Sequence, residues 1–271
     1  MKVDWTMGEV NQIIRESIIG KIDGTLELGI TASLISALAR EDFDKPYYIN
    51  PPEGIKFLDN GIVEFDMGSC DPFNTGRKLY ASQLVTFKPN EINTIIGCNS
   101  AGKSTMVNIV DEILYTNGYP YVFYDNIDNS FKWLHERIHE SIHYKNLSEG
   151  EVIAKASGKY INVIADIIRG TIIRDKKFRK YRDLDNIFLL LDSIDSGYSI
   201  DNIINLSGIL NGLICLAKEN NKKLYIIAAA NNFEFIKGNR SWDVQASKEI
   251  VFNDYNSYRQ RIIETSETIL E

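Results

Sequence analysis

The sequence predicts an α/β protein with a mainly parallel central sheet. Short apolar runs that are typical of buried strands alternate with longer segments of helical periodicity, which is the pattern of a parallel sheet with crossover helices. The run Ile92 to Ile96 is followed by a glycine-rich turn and then by a predicted helix from about Lys103 to Leu114. The chain shows no internal repeat, which argues against a solenoid or propeller.

The first half of the chain predicts three smaller units around this core. Residues 9 to 40 have four-residue apolar spacing interrupted by glycines, and we expect an N-terminal helical extension over residues 1–50 that packs on the core or holds a partner protein. Pro51 and Pro52 mark the boundary to a domain over residues 51–271. Strand-like runs from Gly54 to about Lys88 predict an antiparallel β subdomain, and residues 125–170 predict a helical lobe.

The second half of the chain continues the alternation. The apolar runs 119–124, 186–191 and 224–230 predict strands, and 249–252 predicts a short additional one. Residues 148–169 and 200–217 predict helices, and the chain ends in a polar helix. The expected buried side of the helix over 200–217 consists of Ile203, Ile204, Leu206, Leu210, Leu213 and Ile214.

Composition narrows the class of protein. Of the 271 residues, 44% are apolar and 25% are charged, which is typical of a folded globular chain. The net charge of −7 disfavours general binding to polyanions, so a nucleic-acid role requires a local basic patch. Three cysteines without paired spacing indicate reduced thiols. The polar start of the chain and the lack of a long apolar run predict a cytoplasmic protein without a membrane segment.

The strongest motif is a phosphate-binding loop at residues 97–104, GCNSAGKS, which matches G-x-x-x-x-G-K-[ST] between a strand and a helix. Its glycines allow the backbone to wrap a phosphate with inward-pointing N–H groups. Lys103 is expected to reach the β- and γ-phosphates, and the Ser104 hydroxyl to bind Mg²⁺. The predicted nucleotide contacts of this segment are Gly97, Asn99, Ser100, Ala101, Gly102, Lys103, Ser104 and Thr105.

A second motif supplies the carboxylate that such a site requires. The apolar run 186–191 ends at Asp192, which we expect to hold the water shell of the Mg²⁺ ion. Alone this pattern also fits an ordinary buried strand with a polar end, but together with the phosphate-binding loop it predicts an ATP–Mg²⁺ site.

Four segments in order resemble the motifs of ABC-type ATPases, the superfamily that includes transporters, SMC proteins, Rad50 and RecF. PNEINTIIGCNSAGKST resembles Walker A, LSEGE at 147–151 resembles the signature in the style of the RecF/Rad50/SMC branch, LLLDSIDSG at 189–197 resembles Walker B with the D-loop, and AANNFEF at 229–235 resembles the switch segment. The region from Ser104 to Leu147 holds no heptad run, which indicates a compact head without coiled-coil arms.

The resemblance implies a homodimer with ATP sandwiched between the subunits. In that family the signature acts in trans, so Ser148 and Gly150 of one subunit would contact the γ-phosphate held by the other. Ser148 could cap a helix whose N-terminus favours an anion. LSEGE also fits a plain helix start with acidic first-turn residues.

Two departures from the family pattern predict slow or absent hydrolysis. The resemblance assigns catalytic positions to Lys103, Asp192, Ser193 and Asn231. Ser193 stands where the family has its catalytic glutamate, and a serine is not an effective general base at neutral pH. Asn231, or Asn232 under a one-residue shift, replaces the switch histidine, while Asp195 is a less favoured substitute carboxylate.

The glutamine that the family places after a strand of the core has no clear counterpart in this chain. Asp125 and Asn126, just after the strand predicted over 119–124, are the candidates.

Several functions remain open at this stage. The leading expectation is an ATPase with a role in DNA metabolism, in a composition that suits a phage or low-GC bacterial protein. The alternative is a nucleotide-sensing scaffold or interaction protein that binds ATP without hydrolysing it. A more remote one is a zinc metallopeptidase, because His135, His139 and His143 form two H-E-x-x-H patterns. A structural or interface metal site is a further reading, and a solvated helix face with i,i+4 charge pairs explains the pattern better than either.

A basic segment is the candidate DNA contact. Seven of the fourteen residues from Arg169 to Arg182 are basic, and the aromatic residues Phe178 and Tyr181 lie between them in the sequence. Such a concentration in an acidic chain is typical of a contact to a phosphate backbone, and about as often of a solvated insertion.

Overall fold

The computed structural model describes residues 52–69, 80, 83–126, 149–174 and 180–269, with the side chains of 149–156 and 267–269 excepted. The predicted N-terminal extension over residues 1–50 and most of the predicted helical lobe lie outside these ranges. The elements in chain order are β1 (Ile55–Phe57), β2 (Val63–Asp66), β3 (Leu84–Phe87), β4 (Glu91–Ile96), α1 (Lys103–Asn117), β5 (Tyr121–Asp125), α2 (Glu149–Ile168), β6 (Asn186–Asp192), α3 (Ile200–Glu219), β7 (Lys223–Ala229), α4 (Phe233–Ile236), β8 (Arg240–Asp243), β9 (Lys248–Ile250) and α5 (Tyr255–Ile269).

The larger sheet has the strand order β5-β6-β7-β4-β8-β9. Its pairs are parallel except for β8 with β9, which are antiparallel. The strand β7 therefore lies between β4 and β6, and the carboxyl ends of all three meet at one edge of the sheet. The predicted α/β fold with a mainly parallel sheet is confirmed.

The two faces of this sheet are buried by different partners. On one face, α1 and the antiparallel sheet β1-β2-β3 pack against residues such as Phe188, Leu190 and Ile227. On the other face, α2 and α3, joined by residues of α4 and α5, cover a second apolar cluster. Because both faces are covered, the central strands are apolar at nearly every position instead of alternating. The predicted antiparallel β subdomain is confirmed as the sheet β1-β2-β3.

An aromatic cluster joins the two sheets. The ring of Phe188 on β6 stacks on Tyr225 of β7 with centroids 4.8 Å apart, and meets Phe65 of β2 edge-on at 6.0 Å. The Tyr225 hydroxyl donates to the carbonyl of Gly61 at 2.6 Å. Phe188 and Tyr225 are fully buried, so the antiparallel sheet is anchored to the centre of the larger one.

The helix α3 differs from the prediction at one position. Ile204, expected on the buried side, is 55% exposed, because Ile203 and Leu206 take the positions that face the core. Its length and composition make α3 the one described helix that could cross a membrane, although core helices of soluble proteins pass the same test. In this fold α3 packs on β7 and β4.

Candidate functional site

The loop between β4 and α1 requires glycine at both of its ends. A Cβ at Gly97 would lie 2.9 Å from the Cβ of Ala101, closer than real side-chain contacts. Gly102 has φ 96°, in the left-handed region, and it precedes α1 without any side-chain cap. The helix therefore starts with backbone N–H groups that no cap satisfies, which is the geometry of an anion-binding loop.

The remaining loop residues are exposed or partly so. Asn99 and Ser100 are exposed, and Ser100 also has a positive φ of 66°. A left-handed non-glycine residue costs about 1–2 kcal/mol, so the loop is held in a strained shape by its surroundings. Of the predicted phosphate contacts, Asn99 and Ser100 are thus open to solvent and Ala101 is partly buried.

The Lys103 side chain folds back over the loop. Its Nζ donates to the carbonyls of Gly97 at 2.8 Å and Cys98 at 2.9 Å. Burial lowers the pKa of this ammonium, and neighbouring groups that include Asp192 and Asp195 oppose the effect only in part. A partly buried ammonium at the start of a helix is placed to bind an anion.

The two predicted magnesium ligands lie near one another. The Ser104 hydroxyl, in the first turn of α1, lies close enough to the Asp192 carboxylate at the end of β6 to lower its pKa. Burial raises the pKa of Asp192, and the nearby Ser104 hydroxyl opposes this rise. A hydroxyl and a carboxylate beside a phosphate-binding loop are hard oxygen ligands of the type that Mg²⁺ prefers.

The neighbouring strand separates the two candidates for the missing glutamine. Asp125 pairs with Asp192 in the register of β5 and β6, and its charge contributes to the raised pKa of Asp192. The Asn126 amide instead donates to the carbonyls of Ser193 at 3.1 Å and Ser196 at 2.6 Å. Asn126 is therefore occupied in holding the loop after β6, while Asp125 stands beside the proposed metal ligands.

Ser193 does not supply a general base. It has φ 51°, and its hydroxyl lies 3.5 Å from Asp192 Oδ1. The other carboxylate of this loop, Asp195, is buried and binds the backbone N–H groups of Asn231 at 2.6 Å and of Asn232. The loop after β6 is thereby tied to the segment after β7.

The two asparagines of that segment have different roles. The Asn232 side chain caps α4 by accepting the N–H of Glu234 at 2.9 Å. Asn231 lines a cavity of about 400 Å³ together with the loop residues Gly97, Cys98 and Asn99. Of the two alignments, the geometry thus favours Asn231 as the residue that faces the loop.

The C-terminal helix is the part of the site that sequence reasoning missed. The Tyr258 hydroxyl of α5 donates to the Asn231 carbonyl at 2.6 Å. The Thr265 carbonyl of α5 accepts from Gln245 at 2.8 Å, and Gln245 in turn accepts the N–H of Cys98 at 3.4 Å. Only the polar composition of the last helix was readable from the sequence, and it does not indicate this contact.

Thr105 also has a partner that the motif did not predict. Its hydroxyl lies close enough to Tyr80 to lower the pKa of that phenol, and the Tyr80 hydroxyl donates to the Gly102 carbonyl at 2.8 Å. Burial raises the pKa of Tyr80 far above its ordinary value. Tyr80 thus braces the start of α1 from the side of the antiparallel sheet.

Several predicted residues lie outside the described ranges. Ser148 is one of them. Gly150, in contrast, is described as the second residue of α2, which begins at Glu149. The three histidines of the H-E-x-x-H patterns and residues 175–179 of the basic segment are also outside them. Within the described residues, no group of three histidine, cysteine, aspartate or glutamate side chains could hold a metal ion.

Comparison with known proteins finds similarity only among solved structures. No family model and no curated protein sequence matches the chain. The ADP conformation of MJ1267, an ATP-binding cassette of an ABC transporter, is 12% identical, with a TM-score of 0.36 over 80% of this chain and 95% of that chain.

Two other solved structures are similar at the same level. The dimeric structure of the bacterial ABC transporter cassette MJ0796 is 12% identical, with a TM-score of 0.30 over 66% of this chain and 96% of that one. An ATP-binding subunit of an ABC transporter is 11% identical, with a TM-score of 0.38 over 73% and 96%. At identities and TM-scores this low, the class of the site depends on its own geometry.

Proposed function

We propose that the chain is an ABC-type ATP-binding domain that holds ATP and Mg²⁺ at the loop between β4 and α1. The observation that carries this proposal is the geometry of the loop itself. Gly102 is left-handed before a helix start without a side-chain cap, and Lys103 Nζ folds back onto the carbonyls of Gly97 and Cys98. Asp192 lies near enough to Ser104 and to Lys103 for their pKa values to be linked, as expected of residues that surround a nucleotide-bound Mg²⁺.

Each loop residue has a defined part in binding. The uncapped N–H groups at the start of α1 would hold the β-phosphate, and Lys103 would exchange the carbonyls of Gly97 and Cys98 for phosphate oxygens. Magnesium, when bound, supplies charge neutralisation between the phosphates, with Ser104 and Asp192 as its protein ligands. The loop is completed by Asn99 and Ser100, which are exposed, and by Ala101, which is partly buried.

Hydrolysis is proposed to be slow. Ser193 offers no carboxylate to orient an attacking water, and the Asp195 carboxylate is committed to two backbone N–H groups. Asn231 can donate a hydrogen bond to a terminal phosphate but carries no titratable proton.

In this reading the active unit is a homodimer that sandwiches ATP. Ser148 and Gly150 of one subunit would contact the γ-phosphate on the other, at the N-terminus of α2. The signature style supports a place in the RecF/Rad50/SMC branch, with a cytoplasmic role in DNA repair, recombination or phage DNA processing.

DNA binding is proposed at the basic segment 169–182. Arg174 and Lys180 pair as an antiparallel bridge at the base of this segment, while Arg169 pairs with Asp166 and Arg182 donates to the Asn117 carbonyl. The other basic residues of the segment, Lys176, Lys177 and Arg179, therefore carry the test. Neutralising those three should weaken DNA binding and reduce its salt dependence, and unchanged binding would exclude the segment.

The test of the proposed function is the solution mass by light scattering, with and without ATP and Mg²⁺. We expect a monomer that dimerises only with the nucleotide, and we expect the variant Lys103→Ala to stay monomeric and to lose ATP binding in calorimetry. A wild type that binds no ATP would refute the proposal. A constant dimer that binds ATP would refute only its dimerisation part.

A second candidate function is a nucleotide sensor that does not hydrolyse ATP at all. Ser193 in place of a glutamate favours it. Phosphate release by the wild type, measured against Lys103→Ala, separates the two: turnover above that variant supports the slow ATPase, and equal rates support the sensor.

A further inference from the structure

In the short segment after β7, the peptide group between Asn231 and Asn232 is hydrogen-bonded at both its N–H and its carbonyl. On one side, Asp195 Oδ2 accepts the N–H of Asn231 at 2.6 Å and also that of Asn232. On the other side, the Tyr258 hydroxyl donates to the Asn231 carbonyl at 2.6 Å. One residue of the loop after β6 and one residue of α5 therefore fix both the donor and the acceptor of Asn231.

The Asp195 carboxylate holds two backbone N–H groups at once, an arrangement that we call the Asp195 clamp. Its buried position lowers the stability of the fold. It is 7% exposed, and its second oxygen, Oδ1, is buried without a hydrogen-bond partner in the described part of the chain. A buried acceptor without a partner costs about 1–3 kcal/mol, and more when it is charged. Such a group persists where its other contacts are needed, and here those contacts are the two N–H groups after β7.

The peptide that is held in this way faces the loop. Asn231 borders the cavity of about 400 Å³ together with Gly97, Cys98 and Asn99, and Tyr258 lines the same cavity from α5. A rotation of the Asn231 peptide would move its side chain relative to this loop. The hydrogen bonds with Asp195 and Tyr258 thus set the distance between Asn231 and any molecule bound in this cavity.

We propose that Asp195 and Tyr258 are positioning residues that hold Asn231 against the terminal phosphate and so make the site prefer ATP to ADP. This inference rests on the proposed function, because it needs a nucleotide in the loop. Both residues hold Asn231 through its backbone, and Asp195 also lies near enough to the Lys103 ammonium to raise its pKa.

The test compares ATP and ADP affinities, each with Mg²⁺, in the full chain by calorimetry. Tyr258→Phe removes one hydroxyl and keeps the ring that packs on Phe233 and Phe252. Tyr255→Phe is its control, since Tyr255 lies on the same helix and is 56% exposed. Asp195→Ala removes the clamp, and Asp195→Asn keeps an oxygen that can accept the same N–H groups.

The expected result is a selective loss. Tyr258→Phe and Asp195→Ala should each weaken ATP binding roughly 3- to 10-fold, the effect of one net hydrogen bond, and leave ADP binding within about twofold. Asp195→Asn should fall between Asp195→Ala and the wild type, and Tyr255→Phe should match the wild type. Unchanged ADP affinity also shows that each variant is folded.

Two results would overturn the inference in distinguishable ways. If Tyr258→Phe keeps the wild-type ratio of ATP to ADP affinity, or loses both nucleotides equally, the positioning role is wrong while the proposed function stands. If the wild type binds neither nucleotide, or if its nucleotide affinities equal those of Lys103→Ala, then the proposed function and the positioning role fail together.

Discussion

Replacing Lys103 by methionine should stabilise the unliganded protein while it abolishes the response to ATP. The Lys103 ammonium is partly buried at the start of α1, and burial lowers its pKa despite the nearby carboxylates of Asp192 and Asp195. A lowered pKa means that the folded state binds this proton less tightly than the unfolded chain does. The charge therefore costs stability at neutral pH, and the cost disappears as the pH rises through the ordinary lysine range.

The size of this effect follows from what methionine removes and keeps. The substitution loses two hydrogen bonds, to the carbonyls of Gly97 and Cys98, but it also removes a charge whose desolvation outweighs its attractions. Replacing buried ionic groups by apolar side chains of similar volume is neutral or stabilising by about 1–4 kcal/mol, and because solvent reaches part of the Lys103 side chain we expect a gain at the lower end, about 1 kcal/mol. For a chain of this size that gain raises Tm by about 2–4 °C.

Thermal unfolding with and without ATP and Mg²⁺ measures both halves of the prediction. Without nucleotide, Lys103→Met should melt above the wild type. At a nucleotide concentration of 100 Kd the wild type should gain about 2.7 kcal/mol and melt above the variant, whose Tm should not move. A variant that melts below the wild type without nucleotide would refute the reasoning, since the ammonium would then be stabilising the empty loop.

Three further changes test other parts of the site. Ser193→Glu should raise phosphate release roughly 100-fold, the lower range for a general base, whereas Ser193→Gln should not; equal rates would contradict the assignment of this position. Burial raises the pKa of Asp192, and protonation of this carboxylate removes a metal ligand. As the pH is lowered, ATP affinity in the presence of Mg²⁺ should therefore begin to fall at a higher pH than it would with an exposed aspartate. The affinity of Asp192→Asn should not change over this pH range. Gly102→Ala, at φ 96° and with a Cβ 3.4 Å from Tyr80, should lower stability by about 1–2 kcal/mol, while Gly212→Ala in α3, where a Cβ meets nothing within 4 Å, should be neutral or stabilising; similar effects at both sites would exclude the backbone argument.

The elements that the sequence predicted well are those with long apolar runs or a fixed motif. The strand before Gly97 and the helix from Lys103 were predicted within a few residues, because the loop motif fixes their junction. The strand that ends at Asp192 was also predicted, since both faces of a central strand are buried and its apolar run is uninterrupted. Ile204 was placed wrongly, because an apolar residue next to a buried stripe gives the same periodicity whether it faces the core or solvent.

The contacts within the site could be predicted only where a motif specifies both partners. A shared Mg²⁺ site for Ser104 and Asp192 is expected from such motifs, and the two lie near enough for Ser104 to lower the pKa of Asp192. The grip of Asp195 on Asn231 was not expected, because it depends on the order of the strands, which puts β7 between β4 and β6. The contact of Tyr258 with Asn231 depends on where the last helix packs, and no local pattern encodes that.

The central position of β7 has a consequence for how motion at the site can be observed. Its residues Leu224–Ala228 have no solvent exposure, and both of its edges are paired, so their amide protons should exchange with deuterated water only on global unfolding. The segment 230–232 follows directly on this immobile strand. A nucleotide-dependent change in the exchange rate of the Asn231 and Asn232 amides would therefore report the opening of the Asp195 clamp alone, read against a neighbouring strand that exchanges on the slowest timescale of the molecule.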